Sequence, residues 1–376
     1  MTPLALAILH GHLGIAIPLV HAGASPLPAD NNGESLMCFA VTSGHPSIIR
    51  WLARLPTGPK FINAHDPSGN TALHYAVCRE NLELARALLE CGADPDIQAL
   101  PVDPPTNKEA GGDDDTTPTP ALGVGTALAF TINPSTQHTP ANRLAMVSLL
   151  LQHRAKHVMY ESLGVYPLHE AASHEGMGDI VAALLDHFPD MDINVGTVVP
   201  NDPLMSGITP LMYACGMGEL DVVRLLLARG ADAAKVCGVG EGPVHWAAVT
   251  ERGEAEVREL LGLLVEAGVD VNAQHQYGGT ALHGPAYRGL MANVKVLLEM
   301  GADRGFVTSN WHDGKLLGIG GTPEEMARIG GHWEVAEFIK GWVGGEDGKG
   351  EGGKGEDGKG EGGKGEDGKD EGGKGQ

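Results

Sequence analysis

Apolar and polar positions alternate along this chain with the period of short helices, most clearly over residues 207–232. Leu211 and Ala214 lie three residues apart, so they share one face of a first helix. The apolar run at 222–227 gives a second helix a broad buried face, and Gly230 follows it as a stop signal. Each helix is shorter than the ~12 residues at which isolated helices become marginally stable. The pattern therefore predicts a helix pair that needs neighbouring pairs.

Residues with strong positional preferences mark the ends of the first of these helices. Thr209 precedes it, where a hydroxyl can accept a hydrogen bond from a free backbone N–H group. Pro210 follows at the first helical position, where its missing N–H has no cost. Gly216 and Gly218 are predicted to end the helix, because glycine adopts the left-handed conformation of a helix stop. The stretch at 207–232 thus contains, in order, a cap, an apolar face, glycine, an apolar run and Gly-Ala-Asp.

The same order recurs along nearly the whole sequence, most clearly at 71–76, 166–171, 209–214 and 280–283. A period in the thirties with the pattern T-P-L-H-x-A is the signature of ankyrin repeats. From residue 2 to about residue 342 the chain resembles that family. We align the unit starts at Thr2, Ser35, Thr71, Thr126, Tyr166, Thr209, Gly242, Thr280 and Thr322.

The resemblance implies an all-α repeat solenoid of stacked helix-turn-helix units. In such an array the first helices line a concave surface and the second helices form the convex back. Short β-like finger loops project at about right angles. Because each unit contacts only its neighbours, the core is a continuous strip.

Composition divides the chain into an array over residues 1–343 and a tail over 344–376. The tail contains only glycine, acidic residues, lysine and a final glutamine, so it is predicted to be disordered. A segment rich in proline, glycine and acid at about 101–124 is predicted to be a disordered insertion, because it has too little apolar surface to bury. The first unit begins at residue 2 with no polar cap before it, and Pro18 weakens its second helix. This unit is expected to be frayed, or to follow further units in a longer natural chain.

The formal net charge of −22 argues against binding to nucleic acid or to an anionic membrane surface, because both require basic surfaces. The five cysteines form no CxxC pair, which is typical of a reducing compartment. The apolar stretch at 4–9 fits the repeat better than a signal peptide, since no basic segment precedes it. We therefore expect a cytoplasmic or nuclear protein with no transmembrane segment.

Histidines are the main candidates for chemistry, and most have a structural interpretation. The first four positions of the repeat pattern, T-P-L-H, are here called the tetrad. In ankyrin-like units the histidine of the tetrad braces the turn through hydrogen bonds, which is the role expected here of His74, His169, His245 and His283. His153 and His157 have the spacing of a metal-binding pair, but no third ligand is evident nearby. No catalytic set is discernible. We therefore expect no metal, no cofactor and no enzymatic activity.

The residue after the tetrad is expected to point into the concave groove, and those other than glycine are expected to contact a partner. These residues are Tyr75, Glu170, Tyr213, Trp246 and Gly284. Tyrosine and tryptophan often anchor interfaces. Packing between neighbouring first helices would explain the aromatic residues equally well. Arg79 and Arg288 complete the set of candidate partner-binding residues.

The first hypothesis for function is a monomeric, non-enzymatic scaffold or adaptor that binds another protein through the concave face and the fingers. One alternative is a substrate-recognition subunit of a larger complex such as a ubiquitin ligase, although no recruiting box is visible. The other is the repeat region of a larger enzyme whose catalytic domain is missing from this chain.

Overall fold

The computed structural model describes residues 1–26, 35–99, 125–133, 139–159, 164–199, 202–309, 311–312, 315–316 and 320–343. The predicted insertion at 101–124 and the predicted tail at 344–376 lie outside the described residues. The division of the chain into array and tail stays a prediction.

Nine helix pairs follow one another in the described residues. Their first helices are α1 (Pro3–Leu9), α3 (Leu36–Ser43), α6 (Ala72–Cys78), α8 (Ala127–Ile132), α10 (Pro167–Ala172), α12 (Pro210–Met217), α14 (Pro243–Ala248), α16 (His283–Arg288) and α18 (Pro323–Ile329). Their second helices are α2 (Leu13–His21), α4 (Pro46–Ala53), α7 (Leu82–Glu90), α9 (Pro140–Gln152), α11 (Gly178–His187), α13 (Leu220–Ala228), α15 (Glu254–Glu266), α17 (Met291–Glu299) and α19 (Trp333–Gly341). The short helix α5 (Gly58–Phe61) and a 3₁₀ turn at Pro203–Met205 lie between pairs.

The helices form two layers that share one apolar core. In each pair the first helix packs on the second, and first helices also pack on neighbouring first helices, as α12 does on α10 and α14. Second helices pack on second helices in the same way from α4 onward. Leu211 of the first layer and Val223 of the second are fully buried between them. The predicted all-α fold of stacked helix pairs is confirmed.

Most helix ends agree with the sequence pattern, and two differ. The Thr209 hydroxyl accepts a 3.3 Å hydrogen bond from the Met212 N–H, as expected of a cap. Gly218 ends α12 with a φ of 72°, but Gly216 lies inside the helix, so its predicted role as a stop is wrong. Helix α16 begins only at His283, because Pro285 has no N–H to bond the carbonyl of residue 281.

His74, His169, His245 and His283 each join a first helix to its own turn, and all but His245 also contact the next finger. His74 accepts a 3.1 Å hydrogen bond at Nδ1 from the Thr71 N–H, and its Nε2 lies 3.1 Å from the Gly125 carbonyl oxygen. Nδ1 accepts in the same way in His169, His245 and His283. The predicted bracing role of the four histidines is confirmed.

Adjacent fingers are linked by backbone hydrogen bonds, which is the β-like arrangement that the resemblance implies. The Gly238 N–H donates to the Ser206 carbonyl over 2.8 Å, and the Gln276 N–H donates to the Val239 carbonyl over 3.1 Å. Within the finger before α18, strand β1 (Trp311–His312) pairs antiparallel with β2 (Lys315–Leu316). Across the part of the chain that the structure describes, no helix is long and apolar enough to cross a membrane.

Candidate functional site

Four candidate residues and Gly284 occupy equivalent positions on the first-helix layer, each four residues after the start of its unit. We call them the central row: Tyr75, Glu170, Tyr213, Trp246 and Gly284. Four of them lie on consecutive first helices, α10, α12, α14 and α16. The structure therefore brings the last four side by side, while Tyr75 lies further along the array on α6.

Tyr213 and Trp246 form a half-buried aromatic pair. Their ring centroids are 5.9 Å apart and the rings are inclined by 55°. Trp246 also lies against Gly216, where an added Cβ would be 3.0 Å from the indole Cε3. The buried indole N–H has no hydrogen-bond acceptor among the described residues, so packing alone holds the ring. The pair both packs between first helices and presents apolar surface to solvent.

Tyr75 is the most enclosed of the aromatic members, with 9% of its surface exposed. Its hydroxyl donates a hydrogen bond to the Asp66 carboxylate. Burial, together with this hydrogen bond, raises the pKa of Tyr75 above its ordinary value. Its ring therefore offers less contact area than Tyr213 or Trp246.

Glu170 carries a half-buried carboxylate next to the aromatic pair. Burial raises the pKa of Glu170, and the neighbouring His174 partly offsets this shift. The negative charge of Glu170 in turn contributes to a raised pKa of Tyr213, after the larger effect of burial. The structure gives the Glu170 side chain no hydrogen bond or ion pair with any described residue. The array thus holds a partly desolvated negative charge with no charged partner in direct contact.

Arg79 and Arg288 are exposed and lie at helix ends rather than in the central row. Arg79 caps the C-terminus of α6, and Arg288 is the last residue of α16. These helices belong to the third and the eighth of the described pairs, so the structure does not bring the two arginines together.

A cavity of about 460 Å³ lies between first helices and fingers, beside Trp246 and Gly284. It forms where α14, which packs closely on α12, packs only loosely on α16. Gly284 contributes no side chain at this point, and an added Cβ would lie 2.7 Å from Val249 Cγ1. The cavity is lined by Leu204, Ile208, Cys237, Val239, Glu241, His245, Trp246, Val249, His275, Thr280, Ala281, His283, Gly284, Arg288, Thr308 and Met326.

Sequence reasoning missed this cavity because its walls come from four successive fingers and three first helices. The only local signal is Gly284, which stands where other units have a large or charged side chain. Ile208, Cys237 and Val239 also form a small apolar cluster separate from the main core. The cavity therefore has an apolar floor at the base of the fingers.

His275 supplies a polar edge to the same cavity. Only 8% of its surface is exposed, and its Nδ1 accepts a 3.1 Å hydrogen bond from the Tyr277 N–H. Burial, with the nearby His245 and His283, lowers the pKa of His275 to about 4. The ring is thus neutral at neutral pH and carries its proton on Nε2, for which no acceptor is found among the described residues.

The histidine pair considered as a metal site has a different arrangement. His157 Nε2 accepts a 3.3 Å hydrogen bond from the Leu168 N–H, and its ring stacks on Tyr166 with centroids 5.2 Å apart. Burial lowers the pKa of His157 to about 4. Within the described residues, no three His, Cys, Asp or Glu side chains are grouped as metal ligands.

Comparison with known proteins identifies the repeats. The family model described as ankyrin repeats matches residues 4–99, 137–237 and 199–273. The B-cell lymphoma 3 protein homolog of Mus musculus is 33% identical over 161 residues, which cover 43% of this chain and 34% of that protein. The probable E3 ubiquitin-protein ligase XBOS34 of Oryza sativa is 31% identical over 128 residues, which cover 34% of this chain and 22% of that protein.

A solved structure supports the same fold. The ankyrin repeat domain of Bcl-3, described as a unique member of the IkappaB protein family, matches with a TM-score of 0.50 at 23% identity. The match covers 70% of this chain and 98% of that domain. The aligned stretches span about a third or less of the two curated relatives, so the likeness covers only part of their lengths.

Proposed function

This chain belongs to the ankyrin repeat family, and we propose that it is a non-enzymatic scaffold or adaptor that binds another protein. The binding surface is the exposed side of the first helices together with the fingers. One observation carries the proposal: the half-buried Tyr213–Trp246 pair lies beside a cavity of about 460 Å³. Large aromatic side chains next to a pocket are typical anchors of protein interfaces.

The groups that could perform chemistry support a binding role. Burial raises the pKa of the Cys78 thiol to about 12, and it also raises the pKa of Cys215 and Cys237. These thiols are therefore protonated and poorly nucleophilic at neutral pH. The tetrad histidines use Nδ1 as a structural acceptor, which leaves them little capacity for proton transfer.

Recognition of substrates for a ubiquitin ligase is a second candidate. The similarity to the rice relative, a probable E3 ubiquitin-protein ligase, favours it. The two functions share one binding surface and differ in what else assembles on the chain. Co-purification of a ubiquitin-conjugating activity with the full chain would favour the ligase subunit.

Site-specific photo-cross-linking tests the proposed surface. The photoreactive residue p-benzoylphenylalanine replaces Tyr213 in one protein and Val265 in another, both expressed in cells. Val265 is 44% exposed on α15 in the second-helix layer, so it reports non-specific encounters. We expect discrete covalent adducts at Tyr213 and none at Val265. Equal labelling at both positions would contradict the proposal.

A further inference from the structure

We propose that the central row from Glu170 to Gly284 is a track for one extended peptide segment of the partner protein. The segment places a basic side chain, lysine or arginine, against Glu170 and a large apolar side chain in the cavity beside Gly284. This inference rests on the proposed function and gives the chemistry of the partner.

The basic end of the segment follows from the state of Glu170. Its carboxylate is half-buried and has no hydrogen bond or ion pair with the described residues. A partly desolvated charge interacts more strongly with an opposite charge than one in bulk water does. The adjacent Tyr213 ring can contact the same cation through its face. The chain's net charge of −22 also attracts a basic segment over longer distances.

The apolar end follows from the size and lining of the cavity. A volume of about 460 Å³ accommodates a leucine-, methionine- or phenylalanine-sized side chain with part of its backbone. Ile208, Val239, Val249 and Trp246 give that side chain apolar contacts on several sides. Burying a side chain of this size contributes about 1.5–3 kcal/mol, so the cavity favours an apolar residue over a polar one.

His275 provides the polar contact that a peptide backbone needs on entering an apolar cavity. Its side chain is more than nine-tenths buried, lines the cavity, and carries an Nε2–H without an acceptor among the described residues. An N–H group at the edge of an apolar cavity gains a hydrogen bond when a ligand brings an acceptor. The carbonyl group that flanks the inserted side chain is the acceptor that a peptide supplies.

The spacing of the two positions sets the length of the segment. Glu170 and Gly284 lie on α10 and α16, three helix spacings apart in the first-helix layer. Packed helices lie about 8–10 Å apart, which gives roughly 24–30 Å. An extended peptide advances about 3.3 Å per residue, so the two side chains are separated by roughly seven to nine residues. The residues between them lie over Tyr213 and Trp246.

The first arm of the test selects peptides without knowledge of the partner. A displayed library of random peptides, each about 14 residues long and so able to cover both positions, is panned on the immobilised full chain. We expect the retained peptides to share a lysine or arginine and a large apolar residue at the stated separation. A selection with no retained peptides, or with peptides lacking this pair, overturns the proposal.

The second arm uses matched protein variants and the best selected peptide. Glu170→Gln keeps the shape and removes the charge, and we expect it to weaken binding about tenfold or more. Val249→Phe fills the cavity and should do the same. The controls Glu266→Gln and Val265→Phe make the same replacements on α15 and should leave the affinity unchanged. Full affinity in both test variants overturns the proposal.

The third arm changes the peptide alone and therefore does not depend on how any variant folds. A peptide with four extra residues between the basic and the apolar residue should bind no more tightly than a peptide that has only one of the two. Its two side chains can no longer contact Glu170 and enter the cavity at the same time. An unchanged affinity overturns the proposal that one extended peptide segment occupies both positions. Cross-linking at Tyr213 reports separately on the proposed function, which survives if adducts form there while the peptide arms fail.

Discussion

The backbone N–H of Thr71 donates a 3.1 Å hydrogen bond to Nδ1 of His74. A protonated imidazole carries hydrogen on both ring nitrogens and cannot accept this bond. The same contact recurs at His169, His245 and His283, so the array depends on several buried rings staying neutral.

Stability should fall in mild acid because of these rings. Burial lowers the pKa of His74, His169 and His245 from 6.5 to about 4. Between these values the unfolded chain binds protons that the native array does not. The free energy of unfolding should therefore decrease as pH falls below about 6.5, by up to ~1.4 kcal/mol per pH unit for each ring. The loss should level off near pH 4, where the native rings also protonate.

Urea denaturation between pH 7 and pH 5 measures this dependence. The variant His74→Gln should show a smaller dependence than the wild-type chain. The exposed His187→Gln variant is the control and should keep the full dependence. A free energy of unfolding that stays constant over this range would show that the rings are not held neutral.

Stability should also be uneven along the array. Helix α2 contains Pro18 and buries only Ala16 fully, whereas α12 and α13 bury broad apolar faces. In a nearest-neighbour array, weak units open locally while strong units stay folded. Hydrogen exchange should therefore be slowest between about residues 211 and 298 and faster in α1 and α2. Equal protection from Met1 onward is the contrary result.

Asn293 should be important for stability although its unit pattern does not require it. The side chain is 2% exposed, and its amide donates 2.8 Å hydrogen bonds to the carbonyls of Ala248 and Thr250. Asn293→Ala leaves both carbonyls without this donor and should cost ~3 kcal/mol of unfolding free energy. The exposed Gln276→Ala control should change it by less than ~0.5 kcal/mol. Equal free energies of unfolding for the two variants, measured by chemical denaturation, would argue against this role.

The sequence predicted the helix pairs well because each pair repeats the same local signals. These signals are the Thr209 cap, the apolar face with Leu211 and the Gly218 stop. Each acts within one or two helical turns, so it can be read from the sequence of a single unit. The start of α16 was missed because Pro285 has no N–H to donate to the carbonyl four residues earlier in the chain.

The site was less predictable, since its contacts join distant parts of the chain. The pattern placed Tyr213 and Trp246 in equivalent positions but could not decide between packing and exposure. In the structure they do both. Asn293 and the cavity beside Gly284 depend on residues from neighbouring units and fingers, and no periodic signal marks such contacts.

The central claim is that the Tyr213–Trp246 pair anchors a partner, and one paired measurement tests it most directly. The full chain and the Tyr213→Ala, Trp246→Ala double variant are compared for the partner they retain from a cell extract and for their thermal melting curves. Truncated anchors typically cost at least ~2 kcal/mol each in binding. Because the rings are half-buried, the double variant should lose less stability than the ~3–5 kcal/mol of a fully buried aromatic side chain.

Trp333→Ala is the control, since this tryptophan is 63% exposed on α19 in the second-helix layer. We predict that the double variant stays folded at the temperature of the assay and retains at least about tenfold less partner, while Trp333→Ala retains it fully. Undiminished retention by the folded double variant, or a loss that only follows its unfolded fraction, would contradict the account.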